Sequence, residues 1–202
     1  MNIDAMSRRD RRKEEVRARL LDCAVRLFAR QGFAETSVSD IADAADVARA
    51  TAFNYFPRKE DYFFAWMEAR RTQIRTAVAA EADNGRDTAA QLLHGFSVVA
   101  DLYEADATAS RALTRAWMTA GGPLIGGAAE SAAVIVEALK QGQDRGDIRL
   151  GIDAEQAGFM VLDVYLGTLC RWAAAGDAPL KGPLLAALEL LLSALVEPYG
   201  AR

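Results

Sequence analysis

The sequence predicts an all-α protein, and three observations carry that prediction. First, 51% of its 202 residues are hydrophobic, which is enough to build the core of one or two compact domains. Second, alanine and leucine dominate, while five prolines and 15 glycines leave most of the chain free to form helix. Third, the alternating runs of Val, Ile and Thr that are typical of strands are missing.

The first predicted helix spans about residues 11–31 and follows a polar, mobile segment at 1–10. Its apolar residues recur at helical spacing and are expected to form one buried face: Val16, Leu20, Ala24, Leu27 and Phe28. Gly32 is expected to end this helix, because glycine readily adopts the left-handed conformation found there.

Two short helices are predicted next. One begins at Ser37, with Asp40 three residues later as a variant capping box. The inward residues of this helix are expected to be Val38, Ile41 and Ala45. After a turn at Asp46, the other helix spans about residues 48–56, and Pro57 ends it.

Longer helices follow to the end of the chain. They are predicted near residues 60–82, 87–104, 107–120, 127–145, 153–175 and 180–197. Turn-forming residues separate them: Asp83-Asn84-Gly85, Gly121-Gly122-Pro123, Arg145-Gly146-Asp147 and Gly176-Asp177-Ala178-Pro179. No repeat or Gly/Ser linker divides the chain. We therefore expect an N-terminal domain at 1–57 and a larger helical domain at 58–202.

The charge is distributed unevenly. The net charge is -4, yet residues 1–34 contain nine Lys/Arg against five Asp/Glu. A basic end on an acidic body is expected when one part of a protein meets phosphate. Cys23 and Cys170 do not suggest a disulfide framework, and neither a signal peptide nor a membrane span is apparent. The expected location is the cytoplasm.

The two short helices resemble a helix-turn-helix, whose second helix enters the DNA major groove. Helical spacing predicts that Ala52 and Phe56 face inward while Arg49 and Phe53 face outward. An outward Arg can bond guanine, and hydroxyls at the start of the first short helix can reach phosphate. The candidate DNA-binding residues are Thr36, Ser37, Ser39, Arg49, Ala50, Thr51, Phe53, Tyr55 and Lys59. Alternatively, Phe53 and Tyr55 are ordinary core aromatics in a motif that does not touch DNA.

Residues 11–65 resemble the DNA-binding domain of the TetR family of bacterial transcriptional repressors. The shared elements are Gly32-Phe33, Thr36-Ser37-Val38, Asp40-Ile41-Ala42, Ala45, Val47, Thr51, Phe53-Asn54-Tyr55-Phe56 and Lys59-Glu60. The resemblance implies a repressor that a small-molecule effector releases from a near-palindromic DNA operator. The chain departs from the family pattern at four positions: Asp46 for a turn glycine, Ala48 for a polar cap, Ala52 for a larger apolar residue and Phe53 for a tyrosine.

A group of basic residues precedes the motif. We interpret Arg8, Arg9, Arg11 and Arg12 as a DNA-binding arm along the backbone or in the minor groove. The alternative is a solvated helix start.

The last two predicted helices are apolar almost all round. In the final one, Leu184, Leu188, Leu191 and Leu195 form one stripe, and Leu185, Leu192 and Val196 form another. A helix with two apolar stripes is buried on both sides. We therefore predict a homodimer formed through the last two helices, and the resemblance implies the same. The alternative is a helix at the centre of a monomer's core.

The middle helices are expected to hold the effector. The candidate lining residues are Trp66, His94, Tyr103, Trp117, Met118 and Tyr165, because pockets use large side chains with polar tips. Each of them could instead be a plain core residue. Arg111 and Arg115 could attract an acidic effector, although a solvated helix face is the simpler interpretation.

Enzymatic chemistry is not favoured. The chain has one histidine and lacks the G-x-S-x-G, P-loop, G-x-G-x-x-G and C-x-x-C motifs. No catalytic residue, metal site or cofactor is predicted. The competing class is an all-α ligand-binding or interaction protein that retains a degenerate DNA-binding motif.

Overall fold

The structure, a computed structural model, describes residues 7–119 and 128–196, and this part of the chain is helical. The helices are α1 (Arg8–Gln31), α2 (Val38–Ala44), α3 (Arg49–Tyr55), α4 (Glu60–Asp83), α5 (Thr88–Ala105), α6 (Ala107–Thr119), α7 (Ala128–Arg145), α8 (Ala154–Ala174) and α9 (Lys181–Leu195). The all-α prediction is confirmed. The predicted break at 121–123 lies outside the described residues. No helix in the described ranges is long and apolar enough to cross a membrane.

The chain forms two compact units that divide between Met67 and Glu68, inside α4. The amino-terminal unit contains α1 to α3 and the first turns of α4. The carboxy-terminal unit contains the rest of α4 and α5 to α9. The separate functions expected for residues 1–57 and 58–202 remain predictions.

The first three helices bury the predicted faces. The buried residues include Leu20, Ala24, Leu27, Phe28, Val38, Ile41, Ala45, Ala52 and Phe56. Val16 and Val47 are half-buried. This agreement follows from helical periodicity, which puts residues three or four apart on one side.

An aromatic cluster closes the core of the amino-terminal unit. The ring of Phe63 lies 5.3 Å from that of Phe28 and 4.5 Å from that of Phe33, between ring centroids. Tyr62 stacks on Phe56 at 4.1 Å. The cluster therefore ties the start of α4 to the ends of α1 and α3.

Serine residues cap the first two helices. Ser7 Oγ accepts a hydrogen bond from Asp10 N at 3.1 Å, so α1 begins at Arg8, three residues earlier than expected. At α2, Asp40 N donates to Ser37 Oγ at 3.1 Å and Ser37 N donates to an Asp40 carboxylate oxygen at 2.8 Å. This confirms the predicted capping box. Hydrogen bonds from Ser37 also lower the pKa of the Asp40 carboxyl.

The turn between α2 and α3 depends on Asp46, which has a left-handed φ of +52°. An L-residue pays a steric cost in this conformation and glycine does not. Asp46→Gly is therefore expected to raise the free energy of unfolding by about 0.5–1 kcal/mol. Asp46→Ala serves as the control and is expected to lower it, because alanine tolerates the turn less well. Urea unfolding of both variants measures the difference, and a glycine variant no more stable than the alanine variant would contradict this explanation.

Tyr62 buries a hydroxyl that finds no hydrogen-bond partner among the described residues. Burial is the main cause that raises its pKa from 10.0 to about 12. Tyr62→Phe is expected to leave stability unchanged or to raise it by up to about 1 kcal/mol, because it removes an unsatisfied polar group without changing the ring. The raised pKa means that the wild type loses stability as the pH rises from about 10 to about 12, and the variant lacks this contribution. Urea unfolding at pH 7 and pH 10.5 measures both effects. A loss above 1 kcal/mol at pH 7 would show that the hydroxyl is satisfied.

The carboxy-terminal unit has its own core, and helices α5, α7, α8 and α9 contribute to it. The buried residues include Leu92, Val99, Leu139, Val161, Leu169, Leu184 and Leu188. Asp147, in the turn before α8, accepts hydrogen bonds from Thr88 N and Thr88 Oγ1, both at 2.9 Å. Arg149 N donates to Leu195 O at 3.1 Å. The 146–149 turn therefore fastens the start of α5 and the end of α9 to α7.

Candidate DNA-binding face and effector site

Helix α3 presents its predicted reading side to solvent. The side chain of Arg49 is 64% exposed and Phe53 is 45% exposed, whereas Ala52 is fully buried. Ala50, one residue after Arg49, is exposed and lacks a bulky side chain that would hold the helix away from a groove. Phe53 is therefore not a core aromatic. Thr51 and Tyr55 lie half-buried beside this exposed side.

Asn54 belongs to the same exposed side, although it is not among the DNA-binding residues predicted from the sequence. It lies one turn after Ala50, so helical spacing alone could have identified it. An asparagine amide can donate to and accept from adenine in the major groove. The exposed side of α3, defined by Arg49, Ala50, Phe53 and Asn54, is called the reading face below.

Arg49, on the reading face, forms an ion pair with a residue of α2. Its Nη2 lies 3.2 Å from a carboxylate oxygen of Asp43, in the last turn of α2. Both side chains are more than half exposed. Asp43 could not be predicted from the sequence, because an ion pair across a turn has no helical repeat to reveal it.

The three hydroxyl residues at the start of α2 differ in exposure. Ser37 is exposed and Ser39 is half-buried. Thr36 is buried, and its Oγ1 donates to Gly32 O at 2.7 Å. Its hydroxyl therefore stabilises the turn after α1 and is not presented to a phosphate.

Lys59 is also engaged within the amino-terminal unit. Its Nζ donates to Phe33 O at 2.6 Å and to Ala34 O at 3.2 Å. The ammonium also lies 4.3 Å from the centroid of the Phe33 ring. The expected phosphate contact would require Lys59 to give up these partners, so its observed role is to fix the turn after α1.

The predicted arm is part of a helix. Arg8, Arg9, Arg11 and Arg12 all lie in the first turns of α1 and are exposed. Of the segment at 1–10 that was expected to be mobile, residues 1–6 lie outside the described residues, and Arg8, Arg9 and Asp10 belong to α1, which Ser7 caps. Contacts between these arginines and DNA remain a prediction.

Two of the effector candidates meet in the core of the carboxy-terminal unit. Tyr165 Oη donates to Tyr103 Oη at 3.2 Å, and both residues are buried. The guanidinium of Arg70 lies 5.6 Å from the centroid of the Tyr103 ring. Burial raises the pKa of both tyrosines and lowers the pKa of Arg70. This part of the core thus contains convergent polar groups, which is a common property of ligand sites.

The other four effector candidates differ from this pair in exposure or in position. His94 is 46% exposed, and its Nε2 lies 3.8 Å from a Glu81 carboxylate oxygen, so it is a surface residue. Trp117 and Met118 are half-buried near the end of α6. Trp66 is buried and belongs to the amino-terminal unit.

Arg111 is not on a solvated face, contrary to the simpler interpretation. It is 9% exposed, and its guanidinium donates to Trp172 O, to Ala175 O at 2.8 Å and to Ala178 O at 2.6 Å. It therefore satisfies carbonyls at the end of α8 and in the turn that follows. Arg115 is exposed and donates to Ala173 O at 2.8 Å.

Helices α8 and α9 bury one side and expose apolar groups on the other. The inward residues of α9 are Leu184, Leu188, Leu192 and Leu195. The predicted stripe placed Leu191 in this set, but Leu192 occupies the inward position and Leu191 is half-buried. Leu190 on α9 is 77% exposed, and Met160 on α8 is also exposed.

A capped helix, a tight turn and an exposed reading face on the following helix define the class of helix-turn-helix proteins. Comparison with known proteins identifies the family. The model for bacterial regulatory proteins of the tetR family matches residues 20–65. The helix-turn-helix part of the chain therefore belongs to the TetR family of transcriptional regulators.

Individual relatives agree with this membership. The HTH-type transcriptional regulator AcrR of Shigella flexneri is 39% identical over 61 residues, which are 30% of this chain and 28% of AcrR. The HTH-type transcriptional repressor KstR of Rhodococcus jostii is 25% identical over 166 residues, 79% of this chain and 74% of KstR. The chain spans only 20–28% of the length of AcrR and two other curated relatives.

A solved structure extends the likeness to most of the chain. It is the crystal structure of Thermus thermophilus FadR, a TetR-family transcriptional repressor in complex with lauroyl-CoA. FadR is 29% identical with a TM-score of 0.71, and the alignment covers 92% of this chain and 98% of FadR. The fold prediction of a helix-turn-helix domain followed by a helical domain is thus confirmed.

Proposed function

We propose that this protein is a dimeric, ligand-responsive transcriptional regulator that represses genes by binding a near-palindromic operator. The observation that carries the proposal is the reading face of α3, where Arg49, Phe53 and Asn54 are exposed beside the small Ala50. A core helix would bury such aromatic and apolar groups. A recognition helix leaves them free for a groove.

Each part of the reading face suits one kind of DNA contact. The Arg49 guanidinium bonds O6 and N7 of a guanine, and the Asn54 amide bonds an adenine. The Phe53 ring contacts a thymine methyl group. Ser37 and the N–H groups at the start of α2 bind phosphate, which sets the register but not the sequence. The arginines of the first turns of α1 add phosphate contacts outside the motif.

Dimerisation uses the exposed apolar side of α8 and α9. Met160 and Leu190 are large apolar residues that water surrounds in the single chain. A second copy that covers them removes this area from water, and a two-fold arrangement is the commonest way to do so. Two reading faces then bind half-sites about one helical turn (~34 Å) apart, or a multiple of it.

The carboxy-terminal unit binds the effector, and the Tyr103–Tyr165 pair beside Arg70 provides polar contacts for it. The effector releases the operator because it prefers a state in which the two reading faces no longer match the half-sites. Lauroyl-CoA, which FadR binds in its crystal structure, is the first compound to test. The protein is thus a regulator and not an enzyme, and it acts in the cytoplasm, where its operator lies.

Selection of genomic DNA fragments by the purified protein tests the proposal. The expected result is one recurrent near-palindrome, bound by two copies of the chain, with genes next to it that identify the regulated process. Lauroyl-CoA and related compounds are then added to the complex to find those that release the DNA. Recovery of no common sequence would contradict the proposal and favour an all-α interaction protein with a degenerate motif.

A further inference from the structure

An ion pair crosses the turn of the helix-turn-helix. Asp43 lies in the last turn of α2, and Arg49 is the first residue of α3. A carboxylate oxygen of Asp43 lies 3.2 Å from Arg49 Nη2, within hydrogen-bond distance. Between them the backbone reverses at Asp46, whose N donates to Asp43 O at 3.2 Å. The pair therefore joins the helix that supports the reading face to the first residue of that face.

The local electrostatics favour the pairing of Arg49 with Asp43. Arg49 lies at the positive end of the α3 dipole, where a cation is unfavourable. Helix α3 has no acidic residue in its first turn, and Ala48 offers no side-chain cap. Asp43 supplies the negative charge from the neighbouring helix. The charge of Arg49 also contributes to the lowered pKa of Asp40, so a second carboxylate acts on the same guanidinium.

We propose that Asp43 is a positioning residue that makes Arg49 read a base and not a phosphate. The carboxylate takes one N–H of Nη2 and leaves the other N–H of Nη2 and those of Nη1 for guanine O6 and N7. The same carboxylate repels a phosphate that approaches Arg49. This inference rests on the proposed function, because it assigns a second residue to the same DNA-binding face.

The strength of the Asp43–Arg49 ion pair determines how much Asp43 contributes to sequence discrimination. Both side chains are more than 60% exposed, so the pair contributes little to folding on its own. Its contribution to specificity is larger than its contribution to stability, because an arginine that is already oriented loses less freedom on binding. We expect Asp43→Asn to lower sequence discrimination by about five-fold per half-site, at the upper end of what an exposed ion pair provides.

The experiment compares Asp43→Asn with Glu35→Gln, which removes the same charge from another exposed position in the amino-terminal unit. For each protein, the affinity for the selected operator is divided by the affinity for a scrambled sequence at one salt concentration. A change of net charge alone raises both affinities together and leaves their ratio unchanged. We expect the ratio to fall for Asp43→Asn, to stay at the wild-type value for Glu35→Gln and to return towards that value for Asp43→Glu.

The double variant Asp43→Asn with Arg49→Ala tests whether Asp43 acts through Arg49. The expected ratio equals that of Arg49→Ala alone. The inference is overturned if Asp43→Asn matches Glu35→Gln, or if it lowers the ratio further in the Arg49→Ala background. Equal thermal unfolding midpoints for Asp43→Asn and the wild type exclude a folding defect as the cause. If the wild type itself does not discriminate, the proposed function fails and the inference fails with it.

Discussion

Replacing Arg111 with methionine is expected to lower the free energy of unfolding by about 3 kcal/mol or more. The guanidinium is buried, donates to three backbone carbonyls and lies 4.1 Å from the centroid of the Trp172 ring. Removing it leaves these carbonyls without their charged donor at the negative end of the α8 dipole. Urea unfolding followed by circular dichroism measures the loss.

Arg115→Met provides the matched control. Arg115 lies one turn later on α6 and is exposed, with a hydrogen bond to Ala173 O. Its loss is expected to cost less than about 1 kcal/mol. Equal losses for the two variants would contradict the structural role given to Arg111. The loss of unfolding free energy for Arg111→Lys is expected to lie between the losses for these two variants, because one ammonium cannot reproduce the planar fork of the guanidinium.

Replacing Arg49 with alanine is expected to weaken binding to the selected operator by about 1–3 kcal/mol per half-site. The expected effect is larger than that of any other single residue of the reading face, because a bidentate arginine contact distinguishes guanine from the other bases. Binding to a scrambled sequence is expected to fall much less, since only one charge per chain is lost. Fluorescence anisotropy with labelled duplexes measures both affinities.

Arg58→Ala is the charge-matched control for Arg49→Ala. Arg58 is exposed in the same unit, and its Nη2 pairs with a carboxylate oxygen of Asp61 at 3.0 Å. It lies outside the reading face, so its loss is expected to change operator and scrambled binding alike. If Arg49→Ala behaves in the same way as Arg58→Ala, Arg49 contacts phosphate and the base assignment is wrong.

The fold could be predicted from the sequence because the signals for helix formation are local. Ser37 and Asp40 are three residues apart, and their capping box is visible in the sequence. Helical spacing separated the buried Ala52 from the exposed Arg49 and Phe53. The same rule predicted the reading face, although Asn54 was overlooked on it.

The site was less predictable where a side chain bonds to distant backbone. Lys59 donates to carbonyls 25 and 26 residues away, and Arg111 to carbonyls 61 to 67 residues away. No spacing rule anticipates such partners, so Lys59 was expected to contact DNA and Arg111 to lie on a solvated helix face. The small shift on α9, where Leu192 replaces Leu191 in the buried set, has another cause. When a helix is apolar on several sides, the spacing of its apolar residues does not show which side faces the core.

Sequence-specific DNA binding is tested by measuring the affinity for the selected operator and for a scrambled duplex across a series of salt concentrations. We expect a steep loss of affinity with salt for both duplexes, and a preference for the operator of about 10³-fold or more. A reading face on DNA requires this preference. Equal affinities for the two duplexes, or affinity that does not change with salt, would contradict it and leave the helix-turn-helix as a structural element.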